Sequence, residues 1–474
     1  MLNELGLSTI KEKPHSSRSV LAVHFKLHGG DGVSLQSQLL RNSLRHNFYD
    51  IYECCADLPA NFQGLKLPEI SYQSAEAVDL RRSIFNPTNN VFEGELLTRL
   101  NLQHAVIRKS VERFIDENHI PAIHIHNILS LPYNVAATVA FYDIAKNRPD
   151  LQIIAHHHDL IFENRQHIFP TPKFPVIADR LNEALLPNLP NIKHVTINSI
   201  AAANLQTEKD IQATIVPDGF DFEMSGQEKS VNNRFRELAG IDRNDLIIGV
   251  MTRFVPRKAI EFAVQFVCAL QQKRSKLENI PGGIGPQRRN FTAENAIILL
   301  LPQHEDRTDN SHYFDAIKNY AAQLGIKIVE AENLVESDII NNGHALDKIS
   351  FYDVYPELDI VCYPTTQEGF GNQLLEAIAL AGTVPVVFEY PVFRKDIAQY
   401  VPHIVSLGDT YFANDTISEL KILPNSVIER AVNISIQYLL DPDLAYRYSQ
   451  ENFRLAKSKF DIKLVSEQFA KMIG

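Results

Sequence analysis

Short apolar runs alternate with amphipathic segments along most of the chain, and this alternation is typical of an α/β protein. Apolar runs that predict strands in the first half lie at 19–25, 50–55, 122–126, 151–159, 192–198 and 213–217. A second series of predicted strands lies at 246–251, 296–301, 326–329, 359–363 and 384–388. The pattern predicts two doubly wound, Rossmann-like α/β domains that face a cleft, with the ligand at the strand ends.

A polar stretch near residues 223–233 divides the two series of predicted strands. We therefore predict a polar extension over 1–18, a first domain over 19–225, a second domain over 226–442 and helices over 443–474. The segment 275–290 contains Pro-Gly-Gly-Ile-Gly-Pro and is expected to form a surface loop.

The bulk composition narrows the classes of function. The chain has 474 residues and a formal net charge of -11, so no dominant basic stripe is available to bind nucleic acid. Its four cysteines form neither a disulfide framework nor a C-x-x-C pair, which favours a reducing cytoplasm. No early apolar run reaches the length of a membrane span or signal peptide, while peripheral contact with a membrane stays open.

The stretch 364–380 carries the strongest chemical signal. Glu368 directly precedes the loop Gly369-Phe370-Gly371, and Glu376 follows eight residues after Glu368, inside the helix predicted after this loop. Glycines allow a close backbone approach, and a helix start offers free N–H groups to an anion. A phosphate with sugar hydroxyls would suit this loop, but helix capping alone would also explain the same residues.

Two basic residues follow the first predicted strand of the second half. Arg253 and Lys258 lie five residues apart at a strand-to-helix turn. Together they could stabilise the charge that develops on a departing diphosphate. The alternative is a solvated basic turn near Glu261.

The first half contributes a glycine turn and paired histidines. Gly30 and Gly32 follow the first strand, but the turn matches neither G-x-G-x-x-G nor a P-loop, so it is either an ordinary turn or a phosphate-facing one. The histidines that alternate on two predicted strands, with an aspartate beside them, could form a zinc site or could simply pack beside a cleft; these are His124, His126, His156, His158 and Asp159.

Five motifs in this order resemble the retaining glycosyltransferases of family 4, which have the GT-B fold. The matching elements are the turn at 29–32, the pair His158-Asp159, the segment 216–221, Arg253 with Lys258, and Glu368 through Glu376, which is the family's E-x7-E pattern. The segments 127–132, 155–159, 197–199 and 363–372 are similar to a narrower branch, the mannosylglucosylglycerate-synthase-like enzymes, which make small soluble glycosides.

The resemblance implies a role for each matched residue. Arg253 and Lys258 would hold the donor diphosphate, Glu376 the ribose hydroxyls, and Glu368 the donor sugar, while His158 would line the reaction centre. The implied catalytic set is His158, Arg253, Lys258 and Glu368. The implied donor-binding set is Gly30, Gly32, Gly369, Phe370, Gly371, Asn372 and Glu376. The resemblance also implies no metal or other cofactor, and a last helix that crosses back to the first domain.

The expected function is a metal-independent, retaining transfer of hexose from a UDP- or GDP-sugar to a hydroxyl acceptor, either a small glycoside or a glycan. The departing diphosphate oxygen is expected to take the acceptor's proton, because no general base is evident. Asp218 stands where the family usually has Asn, and the segment 377–385 is two residues longer than the family pattern, which leaves acceptor specificity open. The alternatives are a non-catalytic GT-B protein that binds sugar nucleotides and a histidine-ligated metal hydrolase.

Overall fold

The computed structural model describes residues 18–47, 49–87, 91–163, 168–226, 234–302, 307–336, 349–414, 417 and 419–473. The predicted extension therefore lies outside the described residues except for Arg18. The chain forms two compact units. The first consists of 1–196, 201–214 and 466–474, and the second of 197–200 and 215–465.

The first unit is built on a seven-stranded sheet with the order β3-β2-β1-β4-β5-β6-β7. Its strands are β1 Ser19–Val23, β2 Asp50–Cys55, β3 Gly64–Lys66, β4 Ala122–His126, β5 Gln152–His157, β6 Ile192–Thr196 and β7 Ala213–Ile215. Its helices are α1 Gly32–His46, α2 Ala75–Phe85, α3 Glu93–Glu117, α4 Val135–Asn147, α5 Pro175–Ala184 and α6 Ser199–Lys209. Residues 199 and 200 of α6 group with the second unit.

The second unit has a six-stranded sheet with the order β10-β9-β8-β13-β14-β15 and two small two-stranded sheets. Its strands are β8 Leu246–Gly249, β9 Ile297–Leu301, β10 Lys327–Glu330, β11 Val335–Glu336, β12 Ile349–Ser350, β13 Ile360–Tyr363, β14 Val386–Val387, β15 Val405–Ser406, β16 Phe412–Ala413 and β17 Lys421–Ile422. Its helices are α7 Arg234–Ala239, α8 Ile260–Gln272, α9 Arg307–Gln323, α10 Phe351–Val354, α11 Asn372–Leu380, α12 Asn425–Leu440, α13 Pro442–Phe460 and α14 Ile462–Ile473, which enters the first unit at Ser466.

The central strands of the main sheets are covered on both faces, and most of their residues are apolar. Every residue of β1, β4 and β9 is buried. The strand pairs β1–β2, β1–β4, β4–β5 and β8–β9 are all parallel. Parallel sheets need such two-sided cover. The predicted fold class of two doubly wound parallel sheets is confirmed.

The segment 275–290 differs from the expected surface loop. Ile284 is fully buried, and Arg289 is buried with its Nε donating to both carboxylate oxygens of Asp359 at 2.7 and 2.9 Å. The Gly-rich pattern concealed this role because the ion-pair partner lies 70 residues away. Leu277, Ile284 and Arg289 thus anchor the segment in the core of the second unit, while other residues of it, such as Lys276, Pro281 and Arg288, are exposed as expected.

The return of the chain to the first unit begins later than the expected position near 443. Helix α13 and the first turn of α14 belong to the second unit, and only 466–474 group with the first. There Ser466 Oγ accepts a hydrogen bond from Ser43 Oγ at 2.7 Å, and the Ala470 carbonyl accepts one from the Tyr49 hydroxyl at 3.3 Å. Helix α14 is therefore shared by the two units.

No helix of the described segments has both the length and the hydropathy that a membrane span requires.

Candidate functional site

The loop before α11 is held in one conformation by side chains from distant parts of the second unit. Asn198 Nδ2 donates to the Gly369 carbonyl at 2.6 Å, and the Tyr390 hydroxyl donates to the Phe370 carbonyl at 2.7 Å. Gly371 has φ 134°, and a Cβ there would collide with the Tyr390 hydroxyl oxygen. Glycine is therefore required at 371 both by the backbone angle and by the lack of space.

The residues around Gly371 differ in what they can offer a ligand. The Phe370 ring is buried and packs edge-on against Phe460, with ring centroids 5.4 Å apart, so only its backbone is available. Asn372 is the first residue of α11, and its buried Oδ1 has no hydrogen-bond partner among the described residues. An orphaned buried acceptor at a helix start is a place where a ligand donor group would be stabilised.

Two cations converge on Glu368. Lys258 Nζ forms an ion pair with Glu368 Oε1, and Arg257 Nη1 donates to Glu368 Oε2 at 2.7 Å. The Thr365 hydroxyl donates to Glu368 Oε1 at 2.9 Å. Thr366 N–H also donates to the Arg257 carbonyl at 2.8 Å, so the turn after β8 and the loop after β13 are joined.

The electrostatics of this cluster keep both members of the ion pair charged. Burial lowers the pKa of Lys258 to about 8; Glu368 opposes this shift, while the charges of Arg257 and Arg253 add to it. Burial alone would raise the pKa of Glu368, but Lys258 and Arg257 outweigh it and hold that pKa at about 2. At neutral pH the cluster therefore contains a carboxylate between two cations.

Glu376 lies on the buried face of α11, where Tyr355 donates a hydrogen bond to its Oε2 at 2.7 Å. Burial raises the pKa of Glu376 to about 7, although the Tyr355 hydroxyl and the charge of Lys258 favour ionisation. A carboxylate that is half-protonated near neutrality would gain most from ligand hydroxyl groups that donate to its ionised form.

The charges in this part of the second unit suit an anion. Arg253, Arg257 and Lys258 bring three positive charges, whereas Glu368 brings one negative charge and Glu376 about half of one at pH 7. The predicted residues Arg253, Lys258, Glu368 and Glu376 are thus electrostatic neighbours. The excess positive charge and the helix start together could bind a diphosphate.

The other predicted site residues belong to the first unit. Gly30 precedes Asp31, which caps α1 by accepting from the Ser34 N–H at 3.0 Å, and Gly32 is the first residue of that helix. His158 directly follows β5, and its backbone N–H donates to Asn127 Oδ1 at 2.8 Å. Its side chain is buried, and burial lowers the pKa of His158 to about 4.

The histidine pairs on β4 and β5 form a buried cluster. One nitrogen each from His124, His126 and His156 lies within 4.8 Å of the other two, so these rings could approach a common metal ion. His124 Nε2 and His156 Nδ1 are 3.2 Å apart, which is a hydrogen bond between neutral rings. Burial lowers the pKa of His124 to about 3. His158 and Asp159, which the sequence pattern placed in the same possible zinc site, are outside this group of three.

Several residues that shape the site were missed by the sequence analysis. Arg257 stands beside the predicted Lys258, and its basic side chain was the available signal. Tyr355 and Tyr390 act through hydrogen bonds to residues 21 and 20 positions away, for which the sequence pattern carries no signal. Asn198 lies in the segment 197–199 that carries the resemblance, but its hydrogen bond to Gly369, 171 positions away, was not predicted.

Comparisons with known proteins give near full-length relatives. The chain is 31% identical over 444 residues to the mannosylglucosylglycerate synthase of Petrotoga mobilis, covering 93% of this chain and 98% of the relative. It is 27% identical over 465 residues to the enzyme of the same name from Thermotoga maritima, covering 96% and 99% respectively. No family model matches the chain.

Solved structures with the same fold are glycosyltransferases of the GT-B type. HepE from Anabaena, solved with UDP and glucose, matches with a TM-score of 0.59 at 14% identity over 96% of this chain and 99% of HepE. WaaG, a glycosyltransferase of lipopolysaccharide biosynthesis, matches with a TM-score of 0.55 at 14% identity over 96% and 99%. At these identities the similarity shows the fold, and the predicted GT-B fold is confirmed.

Proposed function

Because this chain belongs to the mannosylglucosylglycerate synthase family of glycosyltransferases, we propose that it moves a hexose from a UDP- or GDP-sugar to a hydroxyl group, with retention at the anomeric carbon. The relatives' name indicates the acceptor class. We infer that the acceptor is a small glycoside of glycerate and that the transferred hexose is mannose. The GT-B neighbour solved with UDP and glucose supports a nucleoside-diphosphate donor.

The observation that carries this proposal is the charge cluster of Lys258, Arg257 and Glu368 next to the loop before α11, in which the Lys258 side chain is buried and Arg257 is partly exposed. We infer that Arg253 and Lys258 bind the diphosphate and stabilise the charge that grows on it as the bond to the sugar breaks. Arg257 would hold Glu368 in place when Lys258 turns towards the phosphate. Glu368 and the backbone of 369–371 would contact the donor sugar.

Glu376 would accept hydrogen bonds from the ribose hydroxyls. The Asn372 amide oxygen would accept a hydrogen bond from a hydroxyl or N–H group of the nucleotide sugar. In the first unit, Gly30 and Gly32 would bring backbone N–H groups to the donor phosphate, and His158 would contact the sugar. The acceptor hydroxyl loses its proton to the departing diphosphate oxygen, so one bond to the anomeric carbon forms as the other breaks.

We propose that the reaction needs no metal ion, because the three basic side chains supply the charge that a divalent cation would otherwise provide. The buried free thiols of Cys54, Cys55 and Cys362 favour a reducing compartment, and we infer the cytoplasm.

The first test is thermal stability with UDP, GDP, ADP and their hexose conjugates, each with and without EDTA. A ligand at a hundred times its Kd adds about 2.7 kcal/mol to the free energy of unfolding. We expect one uridine or guanosine series to raise Tm and EDTA to have no effect. Transfer to glucosylglycerate is then followed by NMR, which also reports the anomeric configuration of the product.

Variants of the basic residues test their roles. Arg253→Ala and Lys258→Ala should each lower kcat by a hundredfold or more, since each is expected to stabilise the transition state by about 3 kcal/mol. The matched control is Lys273→Ala, whose side chain pairs with Glu429 on the surface. Nucleotide binding without transfer or donor hydrolysis would instead identify a non-catalytic sugar-nucleotide-binding protein, and loss of stability in EDTA would favour the metal hydrolase.

A further inference from the structure

The hydroxyl group of Tyr363, at the end of β13, is buried without a hydrogen-bond partner. The residue is 3% exposed, and none of the described residues forms a hydrogen bond with this oxygen. Burial of a hydroxyl without a partner costs free energy that a phenylalanine in the same position would not cost. An unsatisfied buried group in a native protein calls for a reason, and a partner that becomes available when a ligand binds is one.

Tyr363 lies against the charge cluster of the second unit. Its hydroxyl oxygen is 3.6 Å from the place that a Cβ on Gly371 would take, and Lys258 Nζ is 5.8 Å from the centre of its ring. Burial and, after it, the negative charge of Glu368 raise the pKa of Tyr363 well above its ordinary value. The Glu368 carboxylate is therefore close to this hydroxyl, and a small movement of either side chain would join them.

In the free chain the two carboxylate oxygens of Glu368 already have other donors. Oε1 accepts from Lys258 and from the Thr365 hydroxyl, and Oε2 accepts from Arg257. The proposed function withdraws one of these donors, because Lys258 turns to the donor diphosphate. The Glu368 side chain is only 9% exposed, so water is a poor substitute, and a buried carboxylate that loses a partner is destabilised. A replacement has to come from the protein.

We propose that Tyr363 is a positioning residue that takes the place of Lys258 on Glu368: when Lys258 turns to the diphosphate, the Tyr363 hydroxyl donates a hydrogen bond to Glu368. This inference rests on the proposed function, since the donor is what withdraws Lys258. The exchange keeps Glu368 ionised and in position beside the donor sugar, and it gives the unpaired hydroxyl a partner in the same step. The hydrogen bond that is missing in the free chain thereby favours the loaded state.

Lys258→Met imitates the exchange without a ligand, because it removes the ammonium group from Glu368. In the wild-type background Tyr363→Phe should leave the urea midpoint unchanged or raise it, since no hydrogen bond is lost. In the Lys258→Met background the same change should lower the midpoint, since the hydroxyl is then bonded to the carboxylate. Loss of stability from Tyr363→Phe in the wild type, or an equal effect in the two backgrounds, would overturn the proposal.

Tyr142→Phe is the matched control for this comparison. The Tyr142 ring is buried in the first unit, and its hydroxyl donates to Glu183 at 3.1 Å in the free chain. This change should lower the midpoint by the same amount with and without Lys258→Met, because the two sites share no partner.

Ligand binding gives a second measurement, which does not require that Lys258→Met folds. In the full chain labelled with ¹³C at tyrosine Cζ, Tyr363→Phe identifies one of the 16 tyrosine signals. Saturation with UDP or GDP should shift that signal. Tyr363→Phe should weaken nucleotide binding about tenfold in calorimetry, while the Tm of the free protein does not fall. Nucleotide binding that leaves the Tyr363 signal unmoved, or an unchanged affinity in the variant, would refute the exchange.

The two measurements separate this inference from the proposed function. If neither nucleotide binds, the proposed donor site is lost, and the comparison of Tyr363→Phe in the two backgrounds alone decides whether Tyr363 replaces Lys258 on Glu368.

Discussion

At the scale of single residues, Glu376 predicts a pH dependence of nucleotide binding. Its pKa is about 7 in the free chain, and ribose hydroxyl groups that donate to the carboxylate would favour the ionised form. Binding should therefore release protons near neutral pH, and affinity should rise about tenfold from pH 6 to pH 8. Calorimetry in buffers of different ionisation enthalpy measures this release. In Glu376→Gln the dependence should disappear; a wild-type affinity that does not vary with pH would refute the assignment.

Lys258 gives a second prediction at this scale, on stability. Lys258→Met leaves the buried carboxylate of Glu368 with only Arg257 and should cost about 3 kcal/mol of unfolding free energy. The double variant Lys258→Met with Glu368→Gln removes the unpaired charge and should recover most of that loss, while activity stays low. Urea denaturation of the three proteins measures the difference. A double variant less stable than Lys258→Met would show that the pair is not the cause.

At the scale of secondary-structure elements, the start of α11 depends on Gly371. Gly371→Ala should destabilise the chain, because the new methyl group collides with the Tyr390 hydroxyl and the φ of 134° is strained for alanine. Tyr390→Phe removes the hydroxyl, and the nearest remaining ring atom, Cζ, lies 3.4 Å from the added Cβ. The double variant Gly371→Ala with Tyr390→Phe should therefore recover the stability lost to the collision but not the stability lost to backbone strain. Thermal unfolding of the two single variants and the double variant tests this. Additive losses would exclude the predicted contact.

The sequence predicts elements better than it predicts contacts between them. The strands β2 and β4 begin and end at the predicted residues, although Glu53 on β2 and His124 and His126 on β4 interrupt their apolar positions. Helix α2 was missed, since its short amphipathic pattern lies between polar segments. The pairing of Arg257 with Glu368 and of Arg289 with Asp359 was also missed, because each joins residues that only the tertiary fold brings together.

At the scale of the whole molecule, the buried histidines predict acid sensitivity confined to the first unit. Burial lowers the pKa of seven of them, which are His24, His124, His126, His156, His157, His158 and His194. Below the ordinary value of 6.5 the unfolded chain binds more protons, so stability is complete above pH 6.5 and is lost as pH falls. Each histidine contributes about 1.4 kcal/mol per pH unit until its folded pKa is reached. Glu376 has the opposite effect. Because its pKa is raised, the folded chain binds up to one proton more than the unfolded chain at this residue between pH 4.5 and about 7, which offsets the loss of stability from one histidine.

Hydrogen exchange at pH 5.0 and 7.5 checks this expectation. The first unit should lose protection at pH 5.0 while the second keeps it. His194→Gln should reduce the pH dependence of stability by about one proton, whereas His46→Gln, at an exposed histidine, should leave it unchanged. Equal loss of protection in both units would argue against the histidines as the cause.

Helix α14 affects the order in which the two units can fold during synthesis. The segment 466–474 completes the first unit, yet the ribosome adds it only after the whole of the second unit. Until then Ser43 and Tyr49 lack the partners that α14 brings. The first unit therefore cannot complete its fold until the last residues of the chain have been synthesised, whereas the second unit can fold earlier. Truncation of the chain after Val465 would therefore destabilise the first unit, although most of that unit lies at the opposite end of the sequence.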